Sequence, residues 1–348
     1  MTAVETPASL GYRMPAEWEP HVATWLSWPH NLESWPGNFG PIPGVWESLV
    51  RTLAPFEHVH VLAGAPGTLA EARSMVGNVP NVTIHDIATN DAWTRDHGPM
   101  FLQGPVGAPA SLVHWGYNAW GGKYPPFDRD VQVPAKIAHV LGMRRFEPGI
   151  ILEGGAIDVN GLGAVLTTEQ CLLNPNRNPH LSRADIERYL IDYGVGRHVI
   201  WLGHGIVGDD TDGHIDELAR FVGPRTVVTA VEEDPADENY QALADNLRRL
   251  QAATDQEGRA LELVTFPMPK AVYYDDRRLP ASYMNFYIAN GVVVVPTFDC
   301  PADAVALERL AQLFPGRQVR GLRAVELVWG LGTFHCSTQQ QPRPHAAG

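Results

Sequence analysis

Cysteine is scarce in this 348-residue chain, with only Cys171, Cys300 and Cys336 present. Three cysteines this far apart fit neither a disulfide framework nor a zinc site. A reducing compartment, the cytoplasm, is the expected setting. Long apolar runs are also missing. No stretch of about 18 apolar residues occurs, so no membrane span is expected. Residues 1–20 lack the basic-then-apolar pattern of a secretory leader. Positive charge is in deficit: 26 Lys and Arg stand against 39 Asp and Glu, a formal net charge of −13. Nucleic acid and anionic membranes attract basic patches, so neither is an expected partner. A small cationic substrate suits the balance better. Low-complexity tracts are absent, and the 29 Pro and 33 Gly are spread along the chain. One domain over 1–342 with a loose tail at 343–348 is expected. A homo-oligomer is compatible with the sequence but not specified by it.

What is present is a coarse repeat. The patterns predict helices over 45–53, 68–76, 130–142, 182–193, 235–254 and 302–314. Ser182 is a candidate N-cap with Asp185 three residues on. Strand-like runs lie between, among them Val22–Leu26, His58–Leu62, Ala164–Thr168, Val199–Leu202, Val227–Val231 and Val292–Val295. Asn290-Gly291 signals a hairpin. Helices starting near 68, 130, 182, 235 and 302 divide the chain into five similar strand–strand–helix modules. A doubly wound sheet would show one strand per helix instead.

The segment Gly208–Glu217 concentrates chemistry. If it is extended, Asp212, His214 and Asp216 share one face. Burying that face is costly unless the groups are paired or bind something. A solvated acidic loop is the alternative, and the apolar continuation Leu218–Val222 argues against it. Trp93-Thr94-Arg95-Asp96-His97 follows a strand and reads as a pocket loop or as an ordinary polar turn. Glu153 ends an apolar run and precedes two glycines. Trp120 lies in an aromatic-rich stretch, and ring faces suit a flat cation or a core equally. Near the C-terminus, Gly330-Leu331-Gly332-Thr333-Phe334-His335-Cys336 sets a thiol after two glycines that let backbone come close to a ligand. Taken alone, Cys336 reads as a buried filler. With the carboxylates and the histidine upstream, the set suits a guanidinium. Carboxylates grip its N–H groups, a thiolate attacks the central carbon, and a histidine moves protons. The nearby carboxylates raise the thiol pKa, which a cationic substrate or a protonated His214 has to offset.

At these residues the chain resembles agmatine deiminases, within the bacterial peptidyl-arginine deiminase-like, guanidine-modifying enzymes. The matching stretches are Met14–His21, Trp93–Pro99, Asn118–Gly122, Leu152–Gly155, Leu172–Leu181, Thr211–Asp216, Asn285–Gly291, His335-Cys336 and Thr338–Pro342. The resemblance implies an α/β fold, a five-bladed α/β propeller with pseudo-fivefold symmetry and the site on its axis. It implies Cys336 as nucleophile, His214 as general acid/base, Asp96 and Asp216 as the pair holding the guanidinium, and Glu153 as the carboxylate orienting His214. Trp93 would line the substrate channel, with Trp120 and Gly332 beside it. Asp210 would meet a distal amine. No metal and no organic cofactor are implied. The chain departs from that family's usual pattern before His335-Cys336, at His97, and at Asp210, where an aspartate replaces a glutamate. Phe334 is expected to narrow the channel mouth. Free or peptidyl arginine is the neighbouring substrate alternative. A metal-dependent hydrolase using Asp96, Asp212, His214 and Asp216 and a non-catalytic guanidine binder are the alternatives of other kinds.

Overall fold

In a computed structural model, described here for residues 5–345, the chain is a mixed α/β protein. Most of its strands fall into five small strand-and-helix units, four of one pattern and a fifth that differs. In four units the first strand runs antiparallel to a second, which a helix connects to a parallel third. The strands are Met100–Leu102, Ser111–Val113 and Arg144–Phe146; then Asp158–Val159, Ala164–Thr168 and His198–Leu202; then Ala219–Phe221, Thr226–Val231 and Glu262–Pro267; then Tyr287–Ile288, Val292–Thr297 and Gln318–Arg323. The connecting helices are Val133–Leu141, Arg183–Asp192, Tyr240–Ala252 and Ala302–Leu313. The fifth unit joins the two ends of the chain. Thr338–Pro342 lies antiparallel to His21–Ser27, which continues parallel to His58–Leu62 and Val82–His85 through helices Ile42–Leu53 and Thr68–Val76.

The local reasons are ordinary. Val292 to Val295 are β-branched and fully buried, as a central strand requires. Ser182 and Asp185 form a capping box that starts the helix there. The expected helix over 235–254 is shorter, Tyr240–Ala252, and that over 130–142 begins as a 3-10 turn at Asp130–Gln132. Asn290-Gly291 does close a two-residue hairpin between Tyr287–Ile288 and Val292–Thr297. Its glycine has no positive φ; a side chain there would collide with Phe56.

Each unit's first strand is preceded by a single helical turn: Thr94–His97, Gly154–Ala156, Ile215–Glu217, Tyr283–Asn285 and Phe334–Ser337. In space the five turns touch one another in that order, and the last touches the first. They form a ring at one end of the sheets. Of the expected tail, the Arg343 N–H donates to Pro20 O at 2.7 Å, and residues 346–348 lie outside the described residues. Among the described residues no helix is long and apolar enough to cross a membrane.

Candidate active site

The ring of turns is where the chemistry collects. Thr94–His97 supplies Asp96, the segment into Gly154–Ala156 supplies Glu153 and Gly155, and Ile215–Glu217 brings His214, Asp216 and Glu217. Tyr283–Asn285 supplies Asn285, and Phe334–Ser337 supplies His335 and Cys336. Short turns suit this task, because one residue step moves a side chain through a large angle while the following strand anchors the backbone.

Cys336 forms part of the wall of a cavity of about 630 Å³, together with Trp93, Asp96, Trp120, Asp210 and Gly332. Its Sγ accepts from Asn285 Nδ2 at 3.1 Å and lies 3.5 Å from Asp216 Oδ2 and 3.9 Å from Glu217 Oε1. Burial pushes the thiol far up, and Asp216, Glu217 and Asp96 push it further. Gly330 and Gly332 let the loop lie against Trp93. A Cβ at Gly332 would sit 2.9 Å from the indole and 3.2 Å from Cys336 Sγ.

Asp96 is fixed by two donors, Trp120 Nε1 on Oδ2 and the Gly155 N–H on Oδ1, both at 2.9 Å. Trp120 reaches it from a left-handed backbone conformation, φ +55°, which is unfavourable for a bulky residue and is held by the surrounding turn. His214 is fully buried, 3.7 Å from Asp96 Oδ1, and lies with Cys171 beside Glu153. Burial works against its positive charge. Asp96 leads the groups that outweigh burial, and the pKa rises well above the ordinary histidine value. A Cβ on Gly155 would come 2.5 Å from His214 Nδ1 and 3.1 Å from Asp216 Oδ2. This glycine is the gap through which the histidine and the two aspartates approach.

Asp216 and Glu217 divide their roles. Burial raises both. His335, donating to Asp216 Oδ2 at 2.7 Å, brings Asp216 below the usual carboxylate range, whereas burial and the charge of Asp216 push Glu217 far above it. His335 is held from its other side by Glu17 Oε2 at 2.9 Å. Glu17 in turn lies 3.0 Å from Arg220 and 3.3 Å from Arg95. Glu153 Oε1 accepts from Arg177 Nε at 2.5 Å.

The sequence-predicted residues Cys336, Asp96, Asp216, His214 and Glu153 are therefore gathered at one end of the molecule. One expectation is corrected. Segment 208–217 is not extended: Asp212 has φ +67°, Gly213 has φ +87°, and a 3-10 turn follows. Asp212 consequently leaves the His214–Asp216 side and binds Lys123 at 2.8 Å, Arg177 at 2.6 Å and Asn176 at 2.9 Å. The quartet Asp96, Asp212, His214 and Asp216 of the metal-hydrolase alternative is not assembled. Phe334 is fully buried and does not line the cavity; Leu331 does. Asp210 lines the mouth, already bonded to Tyr124 and Arg277. Glu17, Gly155, Arg177, Glu217, Asn285 and His335 were not singled out from sequence. Glu17, Gly155, Arg177, Asn285 and His335 stand inside the stretches that carry the family resemblance, and Glu217 falls one residue past one of them.

The profile of Porphyromonas-type peptidyl-arginine deiminase matches residues 13–342. The chain belongs to that family. Within it, the chain is 40% identical to a Pseudomonas aeruginosa agmatine deiminase, over 98% of both chains. The structure of the Enterococcus faecalis agmatine deiminase superposes with a TM-score of 0.93 at 34% identity, covering 98% of each chain. The C. jejuni agmatine deiminase, in a cysteine-to-serine variant with substrate bound, superposes with a TM-score of 0.87 at 31% identity, covering 96% of this chain and 97% of that one.

Proposed function

We propose that the chain is an agmatine deiminase, a hydrolase that converts agmatine and water to N-carbamoylputrescine and ammonia. The observation that carries this reading is the thiol of Cys336 beneath a cavity, within 3.5 Å of one carboxylate and 3.9 Å of another. Such a thiol is a poor nucleophile until a cation arrives, and a guanidinium is that cation.

The residues divide the work as follows. Asp96 and Asp216 hold the guanidinium N–H groups. As the guanidinium enters, the Cys336 thiol gives its proton to solvent, and the thiolate attacks the guanidinium carbon, forming a C–S bond and a tetrahedral adduct. His214, charged through Asp96, gives a proton to one terminal nitrogen, and that C–N bond breaks to release ammonia. Water then adds to the amidino-thioether carbon as His214 takes its proton. The C–S bond breaks and the thiolate returns. Glu153, braced by Arg177, keeps negative charge beside His214 through both steps. No metal enters these steps.

The five ringed turns and the strand pairing of the chain ends support reading the fold as a five-bladed α/β propeller with the site on its axis, as one domain over 1–342. A free thiol nucleophile fits the cytoplasm. Ammonia and carbamoyl product formed from agmatine in equal amounts test the reading. Absence of both overturns it, and turnover by Cys336→Ala overturns the mechanism.

A further inference from the structure

The mouth of the cavity carries a feature that the chemistry at Cys336 does not use. Asp210 points its carboxylate into the opening, and two donors converge on its Oδ2: the Tyr124 hydroxyl and Arg277 Nη2, the latter at 3.0 Å. The backbone behind Asp210 is fixed. Lys123 Nζ donates to the Asp210 carbonyl at 2.6 Å, and Asp209 accepts from the N–H groups of Thr211 and Gly213 at 2.8 and 3.0 Å. Arg277 is equally well placed. It lies on the short hairpin Tyr273–Tyr274 and Arg277–Arg278. Next to it, Arg278 is clamped to both oxygens of Asp237 at 2.7 and 2.9 Å, and the Tyr274 ring packs on Trp329 with centroids 4.1 Å apart. Trp329 belongs to the turn that leads into Gly330-Leu331-Gly332. The hairpin is thus tied to the loop that carries the thiol.

The consequence is electrostatic. A carboxylate at the far end of the pocket would serve a substrate's distal ammonium. Here that carboxylate already holds a guanidinium belonging to the protein, while the Lys123 ammonium on the same rim is paired with Asp212 at 2.8 Å. We propose that Arg277 is a specificity-determining residue. As the resident cation on Asp210, it weakens the hold on a distal ammonium and lets the pocket admit guanidines that end in a carboxylate. This rests on the deiminase reading of the site. An ammonium has to displace or share the Arg277 bond, whereas a carboxylate meets Arg277 as an added partner. The Arg277 side chain is 55% exposed, so water screens the pair and the effect is moderate.

The test uses three linear guanidines of equal chain length, ending in an ammonium (agmatine), a methyl group (pentylguanidine) or a carboxylate (5-guanidinopentanoate). Dissociation constants are measured calorimetrically on Cys336→Ala, which keeps the pocket and cannot turn over, with and without Arg277→Gln. Relative to pentylguanidine, Arg277→Gln is expected to tighten agmatine and weaken the carboxylate, each by roughly two- to fivefold. Arg277→Lys is expected to restore the original order, which a merely structural role would not do. Equal shifts for all three ligands, no shift, or binding of none overturns the proposal. Turnover is read separately with Cys336 intact. If the binding order changes as expected while no ligand yields ammonia, only the deiminase reading falls.

Discussion

One carboxamide, that of Asn285, holds Cys336 at both ends. Its Nδ2–H donates to Sγ at 3.1 Å while its Oδ1 accepts from the Cys336 N–H at 3.3 Å, the His335 N–H at 3.1 Å and the Thr333 hydroxyl at 2.8 Å. The side chain therefore fixes the turn and stabilises negative charge on sulfur together. Asn285→Ala is expected to lower kcat by about 100-fold, the scale on which misplacing a reacting group acts. Asn285→Asp keeps the acceptor and adds a charge beside the thiol, so its kcat is expected to fall at least as far. Steady-state rates with far-UV circular dichroism check this; near wild-type kcat in both variants would contradict it.

The thiol itself should respond to pH with a defined sign. Burial, Asp216, Glu217 and Asp96 raise its pKa, so the free protein holds Cys336 as a thiol at neutral pH. Alkylation of Cys336 by iodoacetamide, followed by peptide mapping, is expected to be slow at pH 7 and to climb through pH 9 without reaching a plateau near the ordinary thiol value of about 8.5. Asp216→Asn removes an ionised neighbour and should speed alkylation at a fixed pH. A slower reaction in that variant would show that Asp216 does not set the thiol's charge.

Gly155 has no side chain because His214, Asp96 and Asp216 occupy the space. Gly155→Ala should leave the fold intact and reduce kcat by about 100-fold by pushing His214 out of line. The measurement pairs kcat with the melting temperature. An active Ala variant would mean that His214 does not act from this position.

Glu17 is a stability prediction. Burial raises its pKa, but Arg220, His335 and Arg95 outweigh burial and hold the carboxyl well below the usual range. A depressed carboxylate pKa contributes stability above the unfolded value of about 4.3, and that stability is lost as pH falls below it. Glu17→Gln should cost about 3 kcal/mol at pH 7, since it leaves buried cations without their partner. The difference from wild type should shrink below pH 4. A difference that stays constant from pH 7 to pH 3 would place the loss in packing rather than charge.

The mixed α/β class was legible in the sequence, because strands and helices leave periodic apolar patterns. The motif resemblance put forward Cys336, Asp96, Asp216, His214 and Glu153 as candidates for a chemistry that calls for a thiol, a histidine and carboxylates. Three things were not legible. The turn through Asp212 and Gly213 sends Asp212 to Arg177 and Lys123, and a local alternation rule cannot foresee a left-handed residue. Asn285, His335 and Glu17 act through partners 51, 119 and 318 positions away, distances that only folding closes. The charge on Asp210 is already matched by Arg277, 67 residues downstream, and pairing at that range depends on how the hairpin packs against Trp329. The sequence by itself determined which groups were available. The ring of five turns decided which of them meet, because each turn is aimed by a different sheet and no stretch of sequence contains more than one of them.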